Sequence, residues 1–276
     1  MNFSLCNEVL APLSFEDQCR IAAALGYKGL EVAPFTVSDE PATMTNQAAA
    51  QLRETAAGYG LRITGLHWLL VKPEGLSITS PDGIVRERTM AFMCRLTELC
   101  AAMGGSYLVH GSPGQRLIAS GESKETALAR ATEAFARAGE AARRQGVVYC
   151  IEPLSADQTP LINTVAEAAT IVNHIGNPHL RTMIDTSSAG LAEAEPVAQL
   201  IARWLPSGLI GHVQLNDPNR RAPGQGSMNF GPILKALVDN GFRGMAAVEP
   251  FEYVPDGPGC AARAIDYLRA LAGSTT

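Results

Sequence analysis

Four carboxylates close short apolar runs in this 276-residue chain: Glu31 in GLEVAPF (29–35), Glu152 in VVYCIEP (147–153), Asp185 in LRTMID (180–185) and Glu249 in MAAVEPF (245–251). Each taken alone can cap a following helix or pair with a loop arginine. Convergence of Glu152, Asp185 and Glu249 is a different matter, because like charges brought together repel unless a cation neutralises them. A divalent metal ion is the economical counter-charge, and carboxylates beside it can also carry protons to and from a substrate. A polar run between Asp185 and Glu249, HVQLND (212–217), offers two further ligands, His212 and Gln214. Histidine is by far the commoner metal ligand, so the choice depends on where each falls on its strand.

The elements that must bring these residues together read as a regular alternation. Eight β-rich runs (2–6, 29–35, 61–70, 106–111, 147–153, 180–185, 209–217 and 245–251) alternate with eight amphipathic segments (14–25, 46–59, 83–103, 123–145, 163–175, 193–203, 230–240 and 258–271). Gly26, Gly60, Gly104, Gly146 and Gly176 stand just past five of the helical segments, where C-caps favour glycine. Eight βα units in a chain near the typical ~250 residues predict an α/β fold, a closed (β/α)8 TIM barrel, as one domain over residues 1–276. An open doubly wound sheet usually begins with a Gly-rich turn, and SLCNEVLAPL (4–13) has none. In a barrel the C-terminal strand ends build the active site.

Register decides between the two candidate ligands. Gly146 precedes the fifth run and Glu152 lies six residues beyond it; Gly208 precedes the seventh, and six residues beyond is Gln214. Equal depth therefore favours Gln214. His212 shares its face but lies two residues, roughly 6.6 Å, lower. It is expected either to support the site from beneath through a hydrogen bond or to be a satisfied core histidine. Three carboxylates and one amide oxygen form a hard, all-oxygen set that suits Mn²⁺, with Mg²⁺ or Co²⁺ as alternatives.

Composition narrows the partners. Net charge is −5, from 22 Lys and Arg against 27 Asp and Glu, and no basic run exceeds the pairs Arg143-Arg144 and Arg220-Arg221. That argues against a nucleic-acid partner. No apolar run approaches the ~18 residues needed to span a bilayer, so no membrane partner is expected. The six cysteines lack C-x-x-C spacing, and MNFSLCNEVL (1–10) does not read as a secretory signal. Reduced thiols and a cytoplasmic location are the expectation.

At these motifs the chain resembles the sugar isomerase/epimerase group of xylose-isomerase-like TIM barrels, which includes ketose 3-epimerases and hydroxypyruvate isomerases. The resemblance covers essentially the whole length. It is carried by IEPL (151–154), MIDTSSAG (183–190), HVQLNDPNRRAPGQGSMNF (212–230) and VEPF (248–251), with ITSPDGIVRERT (78–89) similar to a ketose 3-epimerase stretch. It implies metal ligands at Glu152, Asp185, Gln214 and Glu249, a substrate-contacting arginine at Arg220 or Arg221, and a homo-oligomer, dimer or tetramer. Glutamine at the strand-7 ligand position resembles the hydroxypyruvate isomerases. Two positions depart from the ketose 3-epimerases: Ser188 stands where they carry histidine, and Gln158 where they often carry an acid.

The chemistry so implied is proton transfer on a small keto-sugar or hydroxy-carbonyl compound through an enediolate, with Glu152 and Glu249 as the acid/base pair. Return of the proton to the opposite face epimerises, and return to the neighbouring carbon isomerises. Glu31, His67, His110 and Ser188 are further candidates for contacting the substrate, together with Lys72, Trp68, Asn7 and Glu8. A metal-dependent lyase or dehydratase on the same scaffold is the alternative, in which enolate formation is followed by loss of a β-leaving group.

Overall fold

A computed structural model describes residues 1–273; the last three residues of the expected domain lie outside the described residues. The chain runs β1 (Phe3–Cys6), α1 (Phe15–Leu25), β2 (Gly29–Val32), α2 (Asn46–Gly58), β3 (Arg62–Leu66), α3 (Gly83–Ala102), β4 (Tyr107–His110), α4 (Lys124–Gln145) and β5 (Val148–Ile151). It continues through α5 (Val165–Ile175), β6 (Leu180–Asp185), α6 (Thr186–Ala192), α7 (Val197–Trp204), β7 (Ile210–Leu215), α8 (Phe230–Asp239), β8 (Ala246–Val248) and α9 (Gly257–Gly273). The strands pair in sequence order, all parallel, and β8 closes on β1. This is the (β/α)8 barrel that the alternation predicts.

Local chemistry explains the boundaries. Ser14, Thr45, Ser123 and Thr164 each cap a helix by accepting a main-chain N–H three residues on, which satisfies a donor that the helix itself leaves unpaired. At the other ends Gly26, Gly146 and Gly176 adopt left-handed backbone with φ of 91°, 70° and 67°, a conformation that costs glycine nothing. Helix α4 lays Ala127, Ala131, Ala134, Ala138 and Ala142 against the barrel, and these small side chains let a long helix lie close.

Two expectations need correction. The helices among the described residues number nine, because the sixth connection holds both α6 and α7. Helix α6 begins directly at the strand end, since the Asp185 carboxylate accepts the Ser188 N–H at 2.6 Å and so starts a helix that stops before Pro196. The strand expected over 61–70 ends at Leu66, where Trp68 turns the chain with a φ of 48°. No described helix is long and apolar enough to cross a membrane.

Register places the mouth residues. Asp185 is paired with Gln214, Gln214 with Ala247 and Leu215 with Val248. Asp185, Gln214 and Glu249 are therefore neighbours around the C-terminal rim, and His212 faces Met183 one layer lower.

Candidate active site

Glu152 follows β5, Asp185 ends β6 and Glu249 follows β8, and one oxygen from each lies within 4.8 Å of the others. All three are buried, at 4–5 % exposure. Without a cation their proximity is costly, and the proton affinities register it. Burial, then the charges of Glu249 and Asp185, hold Glu152 well above the ordinary carboxylate range. Burial lifts Asp185 to about 6 against hydrogen bonds from Ser188. Burial also lifts Glu249 to about 8, although His67 pulls it down.

A consistent pattern of hydrogen bonding surrounds them: one end of each group is tied and the other is spare. Asp185 Oδ1 accepts the Ser188 N–H, Glu249 Oε1 lies 2.8 Å from His67 Nδ1, and Gln214 Nε2 donates to Glu31 Oε1 at 2.6 Å. Asp185 Oδ2, Glu249 Oε2 and Gln214 Oε1 are buried with no partner among the described residues. Buried polar atoms are rarely left unpaired. Spare oxygens on adjacent rim positions, beside the Glu152 carboxylate, fit a hard divalent ion that takes oxygen ligands.

Beneath the rim, Glu31 is fully buried and acts as a hub. It accepts from Gln214 and from the Tyr107 hydroxyl, and His212 Nε2 lies 2.8 Å from its Oε2. The Tyr107 and His212 rings stack, with centroids 3.9 Å apart. Burial alone would raise Glu31, but the adjacent His212, with His67 and Tyr107, brings it to about 2. Glu31 thus stands under Gln214 rather than on the cavity wall, and His212 reaches Gln214 only through Glu31.

The expected substrate-side residues divide. Arg220 and Ser188 line the cavity at the mouth, with Trp68, Gln158 and Phe251. Arg220, at φ 66°, lays its guanidinium 4.4 Å from the Phe251 ring centre. Trp68 packs edge-on between Phe35 and Phe251, at 5.4 and 5.6 Å. Arg221 turns outward to Glu252 at 3.3 Å, and the exposed Lys72 pairs with Asp39 at 3.2 Å. His67 and His110 are fully buried behind the wall: His67 bridges Glu249 and Glu8, and His110 pairs with the Tyr149 hydroxyl at 2.8 Å. Both are drawn away from the cavity because a buried imidazole needs a polar partner. Asn7 is spent on the loops around it, bonding Gln18, Thr36 and the Ala33 N–H.

Several residues that sequence reasoning passed over shape the site. Gly111 follows β4 at a point where any Cβ would come 1.6 Å from Glu152 Oε2. Asn216 donates to the Glu249 carbonyl at 3.0 Å and accepts the Ser187 N–H, joining the ends of β6, β7 and β8. Its signal was present, since Asn216 shares parity with Gln214. Arg116, fully buried, donates Nη1 to the Glu152 carbonyl at 2.8 Å, and no periodicity marks it. Asp217 accepts the Met228 N–H at 2.9 Å and so holds the loop that carries Arg220.

Fold and site together define a parallel-barrel enzyme with a cation-ready carboxylate centre at its C-terminal mouth. The Xylose isomerase-like TIM barrel family model matches residues 19–271, and the chain belongs to that family. A D-psicose 3-epimerase from Enterocloster bolteae is 29% identical over 235 residues, covering 83% of this chain and 74% of the relative. A putative hydroxypyruvate isomerase from Mus musculus is 27% identical over 257 residues, 87% of this chain and 84% of the relative. A solved L-ribulose 3-epimerase superposes with a TM-score of 0.85 at 20% identity, covering 100% of this chain and 96% of that one, a likeness of fold. Among such relatives the chain is an enzyme of the isomerase class.

Proposed function

We propose that the protein is a divalent-metal-dependent isomerase or epimerase of a small keto-sugar or hydroxy-carbonyl compound. The observation that carries this reading is the pair of spare buried oxygens on Asp185 and Glu249 clustered with the Glu152 carboxylate, with a third spare oxygen on Gln214, the strand partner of Asp185. These four residues would hold the ion, and the hard donor set favours Mn²⁺ over Co²⁺ or zinc, with Mg²⁺ the nearest competitor. Bound there, the ion would polarise a substrate carbonyl and lower the cost of removing a proton beside it.

The remaining work falls to side chains. One of Glu152 and Glu249 takes the proton from carbon, and the other returns one to the opposite face or to the neighbouring carbon. Proton affinities raised by burial suit both to a reaction run near neutral pH. Trp68 and Phe251 give the sugar an apolar wall and exclude water, while Arg220, Ser188 and Gln158 meet its hydroxyls. Glu31 and His67 act behind the wall, turning Gln214 and Glu249 toward the cavity. A homo-oligomer in the cytoplasm, with no nucleic-acid partner, completes the reading.

D-Psicose and D-fructose, supplied in D₂O to the manganese-loaded enzyme, test it by mass spectrometry and NMR. Deuterium on carbon in an interconverted sugar supports the reading. An absorbing enone product means elimination instead, and a purified protein that takes up no divalent ion sinks the metal assignment.

A further inference from the structure

The two carboxylates assigned to proton transfer are held in different ways. Glu249 Oε1 lies 2.8 Å from His67 Nδ1, and on the far side of the ring His67 Nε2 lies 2.9 Å from Glu8 Oε2. These residues come from the ends of three different strands, β8, β3 and β1, and all are buried. An imidazole with a carboxylate at each nitrogen cannot turn without breaking both contacts, so the ring is a fixed stop. Glu249 Oε1 is committed to that stop, which leaves Oε2, unpartnered among the described residues, for the cavity. Glu152 has no such clamp. Its carboxylate takes no side-chain hydrogen bond among the described residues; its main chain alone is held, the N–H by the His110 carbonyl and the carbonyl by Arg116.

We propose that His67 and Glu8 are a positioning pair for Glu249, choosing which of its oxygens faces the cavity. Glu249 is then the rigid member of the acid/base pair and Glu152 the free one. The inference rests on the assignment of Glu249 as ligand and acid/base group. It has a stereochemical consequence. Inversion needs one carboxylate to take the proton from carbon and the other to deliver a proton to the opposite face. When Glu249 is loosened, Glu152 still removes a proton, exchanges it with solvent and returns one to the same face. Exchange then outruns inversion for one epimer.

Manganese titration of the metal-free protein, followed by electron paramagnetic resonance, tests the pair without a substrate. His67→Ala is expected to bind Mn²⁺ about 10- to 100-fold more weakly. His67→Asn, whose amide can stand in for Nδ1, recovers part of the loss, and Glu8→Ala falls between. Circular dichroism and Tm separate these effects from misfolding. In D₂O with D-psicose and D-fructose, His67→Ala is expected to place deuterium in one recovered sugar faster than the two interconvert. Variants that bind Mn²⁺ as the wild type does overturn the proposal, as does a variant with lowered Tm but unchanged affinity. A wild type that binds no Mn²⁺ removes the metal assignment and this inference with it. A wild type that binds Mn²⁺ but turns over neither sugar removes only the choice of substrate, and the titration still decides the role of the pair.

Discussion

Gln214 Nε2 donates to Glu31 Oε1 across 2.6 Å, and both side chains are fully buried. The contact removes the freedom of an amide to flip, because only its nitrogen can face a carboxylate. Gln214 Oε1 is left without a partner among the described residues, on the strand position paired with Asp185. Truncation at Gln214 should therefore weaken Mn²⁺ binding by about 10-fold or more, and truncation at His212 by much less, since His212 acts only through Glu31. Isothermal titration of Gln214→Ala and His212→Ala measures the order; the reverse ranking would refute the register argument.

A side chain at Gly111 would take the place of the Glu152 carboxylate. A Cβ there would stand 1.6 Å from Glu152 Oε2 and 2.8 Å from its Cδ. Gly111→Ala is expected to push the carboxylate aside by the order of an ångström and cut turnover about 100-fold. Because the obstacle is a side-chain end beside a cavity, Tm should change little. A variant with full activity would show that the space beside Gly111 is not where the Glu152 carboxylate works.

The neighbouring arginines should part company. Arg220 lines the cavity over Phe251, whereas Arg221 pairs with Glu252 away from it. Arg220→Ala is expected to raise KM at least tenfold through loss of a charged donor, by the ~1.5–3 kcal/mol typical of hydrogen bonds to charged groups. Arg221→Ala should leave kcat and KM unchanged and shift stability by under about 1 kcal/mol. Steady-state kinetics on both variants decides, and equal losses would mean that the loop, not the side chain, matters.

Acidity has a defined sign in the metal-free protein. Asp185 and Glu249 titrate at about 6 and about 8 when folded, above the ordinary values near 4 that hold when unfolded. The folded state keeps protons that the unfolded chain releases, so stability falls as pH rises from about 4 through about 8. Glu31, at about 2, works oppositely and is lost as pH falls below about 4. Thermal melts from pH 4 to 9 should show Tm declining toward alkaline pH without Mn²⁺ and holding level with it. A metal-free Tm that climbs through this range would contradict the clustering of like charges.

Much of this enzyme is legible from its residues in order. Alternating short apolar runs and amphipathic segments, punctuated by caps such as Ser14 and Gly26, determine eight parallel βα units, because each pattern buries its apolar face in one way only. Parity and equal spacing from Gly146 and Gly208 also select Gln214 over His212 for the rim, since strand geometry has a fixed rise. What only the tertiary structure decides is which way a side chain is drawn once it arrives. Glu31, His67 and His110 carry the chemistry expected of a cavity wall, yet each lies behind it, because a buried polar group takes its partner from whichever strand the closed barrel brings near. Glu8 meets His67 across 59 residues and His67 meets Glu249 across 182. No local pattern encodes such contacts; they exist only because β1, β3 and β8 end at the same rim.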